Sequence, residues 1–157
     1  MPSLPNPRVR INPETFAITA VTYQRHRIFQ RATNADLMMT TLFRYREQGR
    51  FQLHGFVVMP DHLHALLTPA SDQSIERCVQ LIKGGFSFAI RNEGKGEVWQ
   101  NGYHAHRVTD STDYHNQLLY ISNNPTRKNY RDYPHSHQTH PNHLDLTPTH
   151  LIEAPAS

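Results

Sequence analysis

Apolar positions along the chain switch period several times, and the switches mark out the elements. Phe16 to Tyr23 (FAITAVTY) is rich in aromatic and β-branched residues and predicts a strand. From Asn34 to about Gln48, Met38, Met39, Leu42, Phe43 and Tyr45 form one apolar side of a helix. Asn34 is its expected cap and Gly49 its stop. Leu53 to Val58 and His62 to Leu67 read as two strands. Only Met59-Pro60-Asp61 lies between them, so they form an antiparallel hairpin. Ile75, Val79, Ile82, Phe86 and Ile90 fall at helical spacing after a Ser74 start, with Gly84 and Gly85 marking a kink or a close contact. Ala105 to Val108 predicts a fourth strand. Asp110, Ser111 and Thr112 offer caps for a last helix that Pro125 should end.

The order β-α-β-β-α-β-α is that of an α+β fold: a ferredoxin-like split βαβ sandwich on an antiparallel sheet, with one extra C-terminal helix. We expect a loose lead-in over 1–13 and a catalytic domain over 14–134. Residues 135–157 are rich in His, Pro and Thr with little apolar periodicity, and are expected to be disordered. This fold hosts many activities, so function must be argued from a site.

Composition narrows the classes. The chain has 157 residues, 37% of them hydrophobic, which suits one domain with a real core. No apolar run approaches the roughly 18 residues that span a bilayer, and the opening MPSLPNPRVR has no apolar signal core. The expectation is a cytoplasmic protein with no membrane partner. The single cysteine, Cys78, excludes an internal disulfide and reads as core. Net charge is +3, which permits a nucleic-acid partner without requiring one. The cations cluster at Arg25, His26 and Arg27, at Arg44, Arg46 and Arg50, and at Arg127, Lys128 and Arg131; taken alone, such clusters read as solvated faces.

Two stretches carry chemistry. In His54-Gly-Phe-Val-Val-Met-Pro-Asp-His62-Leu63-His64, the alternation of a strand puts His62 and His64 on one face. Two imidazoles there can grip one divalent ion, with Asp61 orienting a ring from behind. Chance HxH pairs also occur in a histidine-rich chain. In the last predicted helix, Tyr114, Leu118 and Ile121 form the packing stripe. Tyr120 falls on the polar side with Asn116, Asn123 and Asn124, and Asn124 lies one turn beyond it. An isolated surface tyrosine would need no further account.

Taken together, FAITAVTYQRHRIF, GFVVMPDHLHALLTP, LIKGGFSFAI, WQNGYHAHRVTD and DYHNQLLYISNNPTRKN are ordered and colinear over residues 14–130. In this the chain resembles the REP-associated tyrosine transposases and the single-strand insertion-sequence transposases of the HUH superfamily. The resemblance implies a DNA nuclease and strand transferase. His62 and His64 would hold Mg²⁺ or Mn²⁺, Asn124 would add a polar ligand, and Tyr120 would attack the DNA. His106 matches a recurrent family histidine. The implied partner is single-stranded or hairpin DNA, met at the nucleoid, and relatives act as monomers or homodimers. Arg25, Arg27, Lys83, Arg127 and Lys128 are the expected phosphate contacts, and Phe86, Tyr103 and Tyr130 the candidate stacking surfaces. Three places depart from the pattern. Ser122 stands where a histidine is common, Asn129-Tyr130-Arg131 replaces a Gly-Leu-Val run, and Tyr133-Pro134-His135-Ser136 is a remnant of the usual ending. A non-catalytic hairpin DNA- or RNA-binding protein derived from such a transposase is the competing expectation.

Overall fold

The computed structural model describes residues 12–94, 96–128, 130 and 132–152; most of the lead-in and the last five residues lie outside these. The elements are β1 (Phe16–Val21), α1 (Ala32–Glu47), β2 (Phe51–Met59), β3 (His62–Pro69), α2 (Ile75–Ala89), β4 (His104–Arg107) and α3 (Ser111–Arg127), with short 3₁₀ turns between them. The strands form one sheet in the order β2-β3-β1-β4, and all three pairings are antiparallel. This is the split βαβ order, as the element pattern predicts.

Alternation along the strands divides the core between the two faces. Ile18, Ala20, Leu63, Ala65 and Leu67 point to one face, where Met38, Leu42, Cys78, Ile82 and Phe86 of α1 and α2 cover them. Val57, Met59 and Leu66 point to the other, against Tyr114 and Ile121 of α3. A register shift between Leu53 and Gly55 changes the parity of β2. Leu53 and Phe56, three apart, therefore share the first face.

Local chemistry sets the ends of the helices. Ser74 accepts from the Arg77 amide and Asp110 from the Asp113 amide, so both expected caps form. Gly49, at φ 75°, closes α1. Its amide reaches the Arg46 carbonyl and that of Arg50 reaches Tyr45, a Schellman closure. Gly85 is the close contact: a Cβ there would come within 2.8 Å of the Tyr45 ring.

Three expectations need correction. Asn34 does not cap α1, which starts two residues earlier behind Arg31; its side-chain amide instead donates to the Ile28 carbonyl. Pro125 does not end α3, because a proline in the last turn loses only one helical bond, and the helix runs on to Arg127. Residues 135–152 are not a loose tail. Asp145 holds Arg46 through two hydrogen bonds of 2.9 and 3.1 Å and accepts from the Leu53 amide at 2.8 Å. Leu151 and His137 are buried, and Ser136 bridges Val57. Polar anchors do there what an apolar stripe does elsewhere, so hydrophobic periodicity cannot register them.

Candidate active site between the sheet and the third helix

β1 and β3 pair with Thr19 opposite His64 and Val21 opposite His62. Both histidines face α3, as strand alternation predicts. Their rings meet edge-on with centroids 4.8 Å apart. In each ring Nδ1 is engaged from behind: His62 Nδ1 lies 2.7 Å from Asp61 Oδ1, and His64 Nδ1 2.8 Å from Thr19 Oγ1. Asp61 has a second partner in Arg25, at 3.2 Å. Burial opposes its charge, but the hydrogen bonds from His62 and Arg25 outweigh it and hold the carboxyl below its ordinary value. As a carboxylate it can only accept, so His62 directs an Nδ1 proton at it and leaves Nε2 for the cleft. His64 is pushed down to about 3, first by burial and then by the neighbouring His62 and Arg127. It is therefore neutral, as a metal-binding imidazole must be.

α3 supplies the rest. Tyr120 is 47% exposed. Its ring stands edge-on to His64, centroids 5.7 Å apart, while the Arg127 guanidinium lies over its other surface at 3.9 Å from the centroid. Thr19, Arg25, His62, His64, Tyr120, Asn124, Arg127 and Lys128 line one cleft. Among the described residues no group of three or more His, Cys, Asp and Glu could hold a metal. Any ion here would rest on two imidazole nitrogens and the amide oxygen that Asn124 can add. That donor set suits Mn²⁺, or Mg²⁺ keeping waters, better than a thiolate-seeking metal.

Residues 15–124 match the family described as Transposase IS200 like. The chain belongs to that family. The chain is 26% identical over 109 residues to the REP-associated tyrosine transposase of Escherichia coli K12, a match covering 66% of the chain and 64% of that protein. It is 26% identical over 106 residues to a putative REP-associated tyrosine transposase of Haemophilus influenzae, covering 57% of the chain and 60% of that protein. The matches thus span less than two thirds of either relative. A solved structure of a REP-associated tyrosine transposase bound to a REP hairpin aligns over 100% of both chains, with TM-score 0.70 at 23% identity. A crystal structure of a putative transposase from Deinococcus radiodurans R1 aligns at TM-score 0.53 and 23% identity, over 76% of this chain and 97% of that one. At these identities the structural likeness is one of fold.

Not every sequence candidate reaches this cleft. Arg25, Arg127 and Lys128 do. Arg27 lies to one side, its guanidinium on the Tyr130 hydroxyl at 3.1 Å. Lys83, on α2, donates to the carbonyls of Gln100 and Gly102 at 2.9 Å each, and burial lowers its pKa. Phe86 is fully buried against Phe29 and Trp99 and cannot stack on a ligand. Arg46 serves the ion pair with Asp145. His106 sits on β4, its Nε2 2.8 Å from Asp113, and does not touch the His62–His64 pair through any hydrogen bond among the described residues. Thr19 and Asp113 were missed in the sequence. Only the strand register reveals Thr19 as the partner of His64, whereas Asp113 stood in view as an acidic residue in a first helical turn. Ser122, at the position where the resemblance favours histidine, donates to the Leu118 carbonyl and so accepts from His137 Nε2 at 3.0 Å. The 135–152 segment thereby returns an imidazole to that neighbourhood.

Regarding the membrane, no helix among the described residues is long and apolar enough to cross one.

Proposed function

We propose that this protein is a metal-dependent single-stranded DNA endonuclease and strand transferase acting through Tyr120. One observation carries the reading: two pre-oriented imidazoles from β3 and an exposed tyrosine from α3 line the same cationic cleft. Preferred substrates are single strands beside hairpin-forming repeats, in keeping with the hairpin-bound relative.

When bound, a divalent ion polarises the non-bridging oxygens of a phosphodiester. His62, His64 and Asn124 are the residues that would hold it. Arg25, Arg127 and Lys128 attract the strand and neutralise its phosphates. Arg127 stacks on the Tyr120 ring and fixes its direction. The Tyr120 oxygen attacks phosphorus as its proton leaves, since a phenol is protonated at neutral pH. The Tyr120 Oη–P bond forms and the P–O3′ bond breaks. The departing 3′ oxygen takes a proton, which leaves a 5′-phosphotyrosine and a free 3′-hydroxyl. Reversal with a different 3′-hydroxyl joins strands without ATP.

The test is an adduct assay. Wild type and Tyr120→Phe are incubated with labelled DNA hairpins bearing single-stranded flanks, taken from the repeats around the gene, with Mn²⁺ or with chelator. A denaturation-resistant protein–DNA band that requires both Mn²⁺ and Tyr120 is expected. Metal-dependent cutting that survives in Tyr120→Phe would point to activated water as the nucleophile. Binding without cutting on every hairpin would favour the non-catalytic alternative.

A further inference from the structure

Tyr120 has a recess on each side, and the two differ in chemistry. Thr19, His64 and Tyr120 form the wall between them. On one side lies the cleft with Arg25, Arg127 and Lys128. On the other, between β4 and the first half of α3, lies a recess of about 430 Å³. Its own lining is Ala17, His104, His106, Asn116, Gln117 and Ile121. No lysine or arginine lines it.

The register explains how it arises. β4 pairs with β1 so that His104 is opposite Thr19 and His106 opposite Ala17. Both histidines therefore share the sheet face that carries His64. Ala17 is small, so a hollow remains between β4 and α3. Asn116 and Tyr120 are four residues apart on α3 and project over the same side of it. His106 and Gln117 are held in place. Asp113 takes His106 Nε2 at 2.8 Å, the Thr109 amide at 3.0 Å and the Gln117 side-chain amide at 3.3 Å. The last bond turns the Gln117 nitrogen toward Asp113 and so fixes the sense of that amide.

The lining selects among ligands. A phosphate would find no cation and would face the Asp113 carboxylate behind His106. A metal ion would find no group of three or more His, Cys, Asp and Glu among the described residues. A purely apolar group would lie against polar edges that it cannot pair with, which is costly. A planar, neutral ring with hydrogen-bonding edges meets none of these objections. Amides offer it both donors and acceptors, and the rings of His104 and Tyr120 offer flat surfaces. The volume is within the range of small-ligand sites.

We propose that this recess seats one unstacked base of the single strand, directly beside the phosphate presented at His62 and His64. Asn116, Gln117 and His106 read its polar edge. The cationic cleft grips the backbone whatever the sequence, and the neutral recess supplies the sequence preference at the cut. This rests on reading the site as a DNA-cleaving centre, but its test is independent of cleavage.

The test measures binding with Tyr120→Phe protein, which lacks the nucleophile. A library of DNA hairpins with a randomised single-stranded flank of about six nucleotides is selected for binding and sequenced. One flank position is expected to show a marked base preference. An abasic site at that position should weaken binding about tenfold, the factor for one net hydrogen bond, with neighbouring positions changing less. Adding Asn116→Ala should abolish the preference there and leave other positions alone. Asn116→Trp, a bulky change at an exposed helix position, should block the recess and reduce affinity for intact flanks to the abasic level. A flat selection at every position, or a preference that persists unchanged in both Asn116 variants, overturns the proposal. An adduct with wild type alongside a flat selection removes the recess and keeps the nuclease. A preference tied to Asn116 without any adduct does the reverse.

Discussion

The ring of His64 and the ring of Tyr120 stand edge-on with centroids 5.7 Å apart, although 56 positions separate them in sequence. β3 brings the first and α3 the second, and α3 packs on β2 and β3 through Tyr114 and Ile121. Because the tyrosine is half exposed, its hydroxyl carries little of the fold. Tyr120→Phe should therefore melt within about 0.5 kcal/mol of wild type and yet form no DNA adduct. Thermal denaturation run beside the adduct assay checks both halves. A variant that loses the adduct only because it unfolds would show itself in the melt.

Asp61 sits between Arg25 and His62 and acts on the cleft through them. Its work is to hold the proton on His62 Nδ1 and free Nε2. Asp61→Ala should weaken Mn²⁺ binding by about 10–100-fold. Titration calorimetry of the whole protein measures this without any DNA. Asp61→Asn, whose amide oxygen can still accept from Nδ1, should recover part of the loss. Equal weakening in both variants would mean that charge, and not ring orientation, is what Asp61 provides.

How far the sequence reaches follows from what kind of force places each residue. His62 and His64 were legible as a shared face because a strand has period two and apolar neighbours Leu63 and Ala65 anchor the other face. Tyr120 was legible as an outlier from the stripe of Tyr114, Leu118 and Ile121. The caps at Ser74 and Asp110 were legible because a short oxygen-bearing side chain before an apolar run has one obvious use. The start of α1 was not, because a 3₁₀-turned approach that has no period sets it, leaving Asn34 inside the helix with its side-chain amide donating to the Ile28 carbonyl. The 135–152 segment was not, because Arg46–Asp145 is a pairing across 99 positions and His137–Ser122 one across 15, and neither leaves a periodic pattern.

Gly55 lies beneath α3, where a Cβ would come 2.6 Å from Leu118 Cδ1 and 3.4 Å from His137 Nδ1. Alanine there asks only that one Leu118 methyl turn aside. Valine adds two branches that α3 and the His137 turn must both accommodate. Gly55→Val should cost about 1–3 kcal/mol by overpacking, seen in urea unfolding. It should also lower adduct yield well beyond the fraction unfolded, because α3 carries Tyr120. Normal adduct yield in a destabilised Gly55→Val would show that the Tyr120–His64 spacing tolerates movement of the helix.

His137 joins three parts of the molecule. Its Nδ1 lies 3.0 Å from the Phe56 amide and 2.9 Å from the Phe56 carbonyl, and its Nε2 donates to Ser122 at 3.0 Å. Burial lowers its pKa. In the unfolded chain a histidine takes its proton near pH ~6.5, before the folded one does. The unfolded state thus binds more protons below that pH, and stability falls as the pH drops through it; above it His137 contributes no slope. His54, His64, His135 and His150, also lowered by burial, act with the same sign. Comparison with His137→Gln isolates one of these five histidines, since glutamine cannot titrate. Wild type should melt higher near pH 7.5, and the gap should narrow steadily toward pH 5. Protease cleavage within 135–152 should speed up over the same range in wild type. Parallel melting curves across that range would mean that His137 keeps its neutral bonds in acid, and that the segment is held by Arg46–Asp145 alone.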